Sequence, residues 1–254
     1  MTRWASISHP LTRGMDLDDV RVTLARREII QRKKFLKTLY NEWYRMLKDN
    51  LPADERVLEI GSGAGFLKDL LPSVITSEVF AIPGVDRVED ACRLDFPNDS
   101  LGAIVMLDVF HHIRDVRAFL IEARRVLCQG GRILMIEPWR SRWSSVIYRN
   151  LHHEPFDTDA ADWRLPSGGG PLSTANGALP WIVFERDRDQ FEAEFPEFSI
   201  VKLEPLMPLA YLVSGGVGTQ VSLPRSMYRP VRILENKVVR GRGAMFALIV
   251  LEKA

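Results

Sequence analysis

The sequence predicts an α/β protein built on a doubly wound, mostly parallel sheet, and three observations carry that expectation. Between residues 53 and 139, strand-patterned and helix-patterned segments alternate. A glycine-rich turn, VLEIGSGAG at residues 57–65, follows an apolar run directly. The chain closes its pattern with a second apolar run, GAMFALIVLEKA, which reads as a buried strand.

Taken in order, the first predicted element lies within residues 17–49, where Leu36, Leu39, Tyr40, Trp43, Tyr44 and Leu47 form an apolar stripe at helical spacing. One or two helices are expected there, with Asp16 as N-cap, and residues 1–52 read as an N-terminal helical segment. Arg21, Arg26, Arg27, Arg32, Lys33, Lys34 and Lys37 crowd the same stretch. That charge fits a solvated face, an anionic acceptor or a membrane surface. Val57, Leu58 and Ile60 suit a strand buried on both faces. Gly61, Gly63 and Gly65 then permit a sharp turn and close approach of a ligand to backbone N–H groups. The spacing after Phe66 predicts a helix whose N-terminus opens from this turn.

VITSEV, VDRVEDA, AIVMLDVF and RILMIEP read as the next strands, and VRAFLIEARRVL as a helix. Residues 140–180 are irregular and glycine-rich, too long for an ordinary connection, and read as a lid or acceptor region inserted after the fifth strand. Trp139, Trp143, Tyr148, Trp163 and Trp181 fall in or beside it and suit either an acceptor wall or a local core. DRDQFEAEF looks helical and FSIVKLEPL looks like a strand. LEPLMPLAYLVSGGVG is apolar and interrupted by Pro205 and Pro208, which reads first as ordinary core and otherwise as a flap over a greasy substrate.

Bulk properties narrow the function. In 254 residues, 34 Lys and Arg nearly balance 33 Asp and Glu, which gives no support to a nucleic-acid partner. Cys92, placed on a strand, and Cys128, before a turn, have no metal-cluster spacing and are expected as free thiols in a reducing compartment. Without a signal-like or membrane-spanning run, a cytoplasmic location is expected.

VLEIGSGAG, VITSE, VEDACRLDFP, AIVMLDVFHHI and EARRVLCQGGRILMIEPW, in that order, resemble the class I S-adenosylmethionine (SAM)-dependent methyltransferases, specifically the type 11 methyltransferase domain. The resemblance covers about a third of the chain. It implies a Rossmann-like sheet of seven strands with the last antiparallel, SAM as cofactor, and residues 53–254 as the SAM-binding domain. A nicotinamide site is disfavoured, because Phe66 stands where the third glycine of G-x-G-x-x-G belongs. By resemblance, Glu59 and the loop residues Gly61, Ser62, Gly63, Gly65 and Phe66 meet the amino-acid end of SAM. Glu78 is expected to accept from the ribose hydroxyls, with Asp86 as its rival, while Asp90 and Ala91 serve the adenine. Asp108 completes the cofactor set.

Methyl transfer needs an aligned nucleophile in a site poor in water, and no metal in principle. An acidic acceptor also needs a base, for which His112 is the first candidate and His111 the second. LHHEPFD contains His152, His153, Glu154 and Asp157; its spacing matches no metal motif, so no metal is expected. His153 and Glu154 are instead the candidates for acceptor binding. The expected activity is methylation of a small molecule, such as a saccharide or a lipid-linked intermediate, with peripheral membrane contact compatible with the basic segment. A SAM-binding regulatory or partner subunit without turnover is the alternative.

Overall fold

A computed structural model of the chain describes residues 9–53, 56–151, 154–239 and 243–254. Its seven described strands are β1 (Val57–Ile60), β2 (Ile75–Glu78), β3 (Arg87–Val88), β4 (Leu101–Leu107), β5 (Leu127–Pro138), β6 (Phe198–Leu206) and β7 (Phe246–Lys253). They form one sheet in the order β3-β2-β1-β4-β5-β7-β6. The first five are mutually parallel, and β7 runs antiparallel to both neighbours. All of β4 and the Ile133–Pro138 half of β5 are buried, as continuous apolar runs must be when both faces of a sheet are covered.

The helices are α1 (Val20–Arg32), α2 (Lys34–Lys48), α3 (Val116–Val126), α4 (Arg142–Leu151), α5 (Leu179–Trp181), α6 (Arg188–Glu194), α7 (Ala210–Ser214) and α8 (Tyr228–Leu234). The expected N-terminal stripe is buried along α2, where Trp43 packs 4.8 Å from the β7 ring of Phe246. Asp19, rather than Asp16, caps α1, accepting from the Arg21 backbone N–H at 2.8 Å. The basic segment is only partly a solvated face. Arg27 donates to the Gly63 carbonyl at 3.0 Å, and Lys33, buried between α1 and α2, donates to the Gly216 carbonyl at 2.6 Å.

Three expectations change. The helix expected after the glycine turn shrinks to one 3-10 turn, Leu67–Asp69. Pro72 disfavours helical backbone at Leu71, and the chain re-enters the sheet at Ile75. The third strand is reduced to two residues at the sheet edge, because the chain turns at once through Asp90, whose carboxylate accepts from the Cys92 N–H at 2.9 Å. Cys92 therefore lies in that turn and Cys128 on β5, both as free thiols. The aromatic residues in or beside residues 140–180, the cap, form local structure and do not wall the cavity described below: Trp139, Tyr148 and Trp163 are buried, Trp143 is exposed and Trp181 half-buried.

Residues 140–180 begin as α4 and continue irregularly to α5, stitched to the body by backbone bonds from Val116 to the Trp163 carbonyl, Leu165 to Arg114 and Asn176 to His111. Asp18 ties the same segment to the N-terminus, accepting from Leu172 N–H at 2.7 Å and Ser173 N–H at 3.1 Å. Among the described residues, no helix is long and apolar enough to cross a membrane.

One packing constraint is directly testable. A Cβ on Gly65 would lie 2.2 Å from the Tyr44 hydroxyl, which accepts from the Phe66 N–H at 3.1 Å, but 3.5 Å from Tyr44 Cζ. Gly65→Ala should therefore destabilise by about 1–3 kcal/mol, the ordinary cost of overpacking. Adding Tyr44→Phe should recover part of that loss although Tyr44→Phe alone destabilises. Urea denaturation of the double-mutant cycle checks this, and simple additivity contradicts it.

Candidate active site

A cavity of about 400 Å3 opens at the carboxyl ends of β1, β2 and β4, where doubly wound sheets place their ligands. β1 brings Glu59 to its wall, and the turn beyond brings Gly61, Ala64 and Gly65. Gly61 is required by geometry: its φ is +73°, and a Cβ would lie 2.4 Å from the Val109 side chain. Gly63 is required for a different reason. The space its Cβ would fill is held by Thr23 and Glu78, at 2.5 and 2.6 Å, so protein rather than ligand presses on this glycine.

Ser62, Gly63 and Phe66, expected in contact with the cofactor, are not on the cavity wall. Ser62 is buried, its hydroxyl donating to the Glu59 carbonyl and accepting from Ser77 N–H. Phe66 packs between Tyr40 and Tyr44. These residues shape the loop from behind.

The two rival acids of the second strand separate cleanly. Glu78 faces the cavity, each carboxylate oxygen receiving one backbone N–H, from Gly63 at 3.1 Å and Val79 at 2.9 Å. Burial holds its pKa above the usual carboxylate range. Asp86 lies off the wall, gripped by Lys68 Nζ at 2.5 Å and by the N–H and hydroxyl of Thr76, which lower its pKa to about 2. Asp90 and Ala91 line the cavity beyond β3. Asp108, at φ +62°, does so beyond β4. Burial pushes Asp108 to about 7, and burial with the nearby Glu78 charge does the same for Glu59. Four acids, Glu59, Glu78, Asp90 and Asp108, thus share this wall.

The histidines occupy the turn after β4. His112 is on the cavity wall, and its Nδ1 donates to the Thr174 carbonyl at 3.1 Å. Burial and the neighbouring His111 push its pKa down to about 3, so the ring is neutral with its lone pair on Nε2. His111 lies behind it, fully buried, with Nδ1 2.7 Å from Glu137 Oε2. Although its burial opposes protonation, contacts with Glu137 and Glu154 hold the His111 pKa well above its ordinary value. Glu154 reaches the cavity from the cap, with oxygens 3.4 Å from His111 Nε2 and 3.7 Å from His112 Nε2. His153, the other acceptor-binding candidate, lies outside the described residues.

Sequence reasoning missed several wall residues. Arg26, Glu89, Arg114, Tyr211 and Val217 all line the cavity. Tyr211 and Val217 belong to the interrupted apolar flap, which was the available signal. It also missed Glu137, marked in the chain by being a lone acid at the end of the apolar run RILMI.

A family model described as a methyltransferase domain matches residues 81–135. An uncharacterized methyltransferase of Bacillus subtilis, YcgJ, is 33% identical over 104 residues, which are 34% of this chain and 41% of that protein. The chain thus matches less than half the length of this relative. Two solved structures share the fold at low identity. A geranyl diphosphate C-methyltransferase from Streptomyces coelicolor, solved with Mg2+, geranyl diphosphate and S-adenosyl-L-homocysteine, aligns with a TM-score of 0.54 at 13% identity, over 98% of this chain and 90% of that one. A chain solved in complex with a Haloferax volcanii methyltransferase activator aligns with a TM-score of 0.53 at 12% identity, over 94% and 99%. In sheet order the chain shares its fold with these structures, and in its central segment, residues 81–135, it is similar to the methyltransferase domain family.

Proposed function

We propose that the chain binds SAM along the acidic wall and methylates a small-molecule acceptor held beneath the cap. The observation that carries this reading is the convergence of Glu59, Glu78, Asp90 and Asp108 from different strand ends on one cavity. SAM supplies an electrophilic methyl group on a cationic leaving group, and the acids match the charge and hydroxyls of such a ligand. Glu59 receives the amino-acid end, Glu78 the ribose hydroxyls, and Asp90 with the Ala91 N–H the adenine edge. Asp108 completes the acidic surface.

The opposite wall suits an acceptor with an apolar part. Leu165, Leu172, Tyr211 and Val217 come from the cap and the flap, with His112 and Glu154 as the polar groups among them. His112 serves to position the acceptor rather than as its base, because a ring held at about 3 is a weak proton acceptor near neutrality. Apolar surroundings favour a lipid-linked acceptor over a bare saccharide.

The outer surface agrees with that choice. From residue 221 to 237 the exposed side chains include Met227, Ile233 and Leu234 together with Arg225, Arg229 and Lys237, and the one acid, Glu235, is buried. Glu235 accepts from the backbone N–H groups of Leu209 and Ala210, at 2.6 and 2.5 Å, and so clamps this surface to the flap. An apolar and basic face of this kind suits an anionic lipid surface.

Three outcomes test these assignments. Glu78→Gln should weaken SAM binding by about 1–3 kcal/mol, the worth of charge-assisted bonds to the ribose. Asp86→Asn should leave SAM affinity unchanged, and calorimetry on both variants discriminates the two acids.

The pH dependence follows from Glu59, protonated below about 7 in the free protein, and from Glu78, whose pKa is also raised. Positive charge against Glu59 and hydroxyl donation to Glu78 favour their ionised forms, so bound pKa values fall and SAM binding releases protons. Affinity should rise as pH increases from about 5 to about 7.5 and level off above. Calorimetry in buffers of different ionisation enthalpy checks the release, and affinity constant across that window contradicts it.

Arg225→Glu combined with Arg229→Glu should abolish co-sedimentation with vesicles containing phosphatidylserine. SAM affinity should remain unchanged. Wild-type protein that ignores anionic vesicles rules out the lipid-surface assignment.

A further inference from the structure

We propose that His111 Nε2, His112 Nε2 and the Glu154 carboxylate together hold one divalent transition-metal ion, such as Zn2+, at the acceptor end of the cavity. The three side chains bring one donor atom each to within 4.8 Å of one another. The Glu154 oxygens stand 3.4 Å from one imidazole nitrogen and 3.7 Å from the other. Both separations exceed the usual 2.7–3.2 Å of an N–H···O bond. They match the spacing of ligands around a tetrahedral ion, since two atoms each about 2.1 Å from such a centre lie about 3.4 Å apart.

The far side of each ring is also built as metal-bound histidines require. His112 Nδ1 faces the Thr174 carbonyl at 3.1 Å, and a carbonyl only accepts, so the proton is on Nδ1 and the lone pair on Nε2. His111 Nδ1 faces Glu137 Oε2 at 2.7 Å, a carboxylate–imidazole pair of the type that fixes the tautomer and raises the basicity of a ligating ring. The other Glu137 oxygen receives the N–H groups of Val109 and Phe110, both at 2.8 Å, so the supporting carboxylate is itself held. The neighbouring trio of Asp108, His111 and Glu137 makes a poorer site because these bonds already engage Glu137.

Two imidazoles and one carboxylate suit Zn2+, Fe2+ or Mn2+, and three protein ligands leave a position open. With His112 and Glu154 on the cavity wall, that position opens toward the acceptor. The catalytic role rests on the methyltransferase reading. An acceptor hydroxyl bound to the ion loses its proton to water more readily. Its oxygen then forms the new bond to the methyl carbon while the C–S electron pair leaves with sulfur, giving the neutral thioether. The sequence expectation of no metal considered LHHEPFD alone. The fold instead joins Glu154 to a histidine pair about forty residues earlier.

Chelator-treated full-length protein, titrated calorimetrically with Zn2+ alone, should take up one ion per chain. Co2+ in its place should show the strong visible absorption of a tetrahedral site. Glu154→Ala and His112→Ala should each weaken Zn2+ binding more than tenfold, and Glu137→Gln, which touches no ion, by about 10- to 100-fold. Glu154→Ala should retain wild-type SAM affinity, which also shows that it folds. No stoichiometric uptake by wild-type protein means that the cluster is an imidazolium ion pair, and overturns the proposal. Uptake unchanged in both ligand variants overturns it too. Failure of SAM to bind the wild-type protein would instead sink the methyltransferase reading, whatever the Zn2+ result.

Discussion

A carboxylate removed from water has to be met by donors, and the way Glu137 is met organises the cavity end of this molecule. It sits at the end of β5 with no solvent exposure. One oxygen collects two consecutive backbone N–H groups from the turn after β4, and the other holds His111. An Ala at this position would orphan all three donors. Because the turn is fixed from below, His112 reaches the cavity wall and the His111 carbonyl is free to accept the Asn176 N–H of the cap. Cap and sheet are therefore registered through one buried acid.

The same economy appears on the acidic wall. Glu78 orders the glycine turn by accepting from Gly63 while still facing the cavity, so the group that shapes the loop also forms part of the cavity wall. α1 closes the loop from the other side through Arg27 and Thr23. Lys33, whose pKa burial lowers to about 8, bonds to the carbonyls of Gly216 and Thr219 and joins the helical N-terminus to the flap carrying Val217. Segments far apart in sequence thus share the work of enclosing one volume.

Much of this was legible in the chain because strand identity depends on local runs. VLEIGSGAG, AIVMLDVF and GAMFALIVLEKA each announce a buried strand, and the glycine turn announces the sheet edge at which the cavity opens. What stayed hidden depends on distance. Nothing near Gly63 shows that Thr23 and Glu78 fill its Cβ space, nor does Phe66 reveal that two tyrosines enclose it. The helical spacing after Phe66 was real but too short to use, with Pro72 and β2 so close behind. Glu154 looked like part of a local histidine cluster, and its described neighbours at the cavity are His111 and His112.

The position of β7 carries a kinetic consequence. It comes after β6 in the chain, yet lies between β5 and β6, pairing with β5 from Arg132 to Pro138 and with β6 from Phe198 to Leu206. Until β7 is in place, β6 has no partner in the sheet and β5 presents an open apolar edge. During synthesis the earlier strands can assemble on the ribosome, but this gap waits until β7, Phe246–Lys253, has emerged. The span of unpaired edge left during that wait is where misassociation competes with folding.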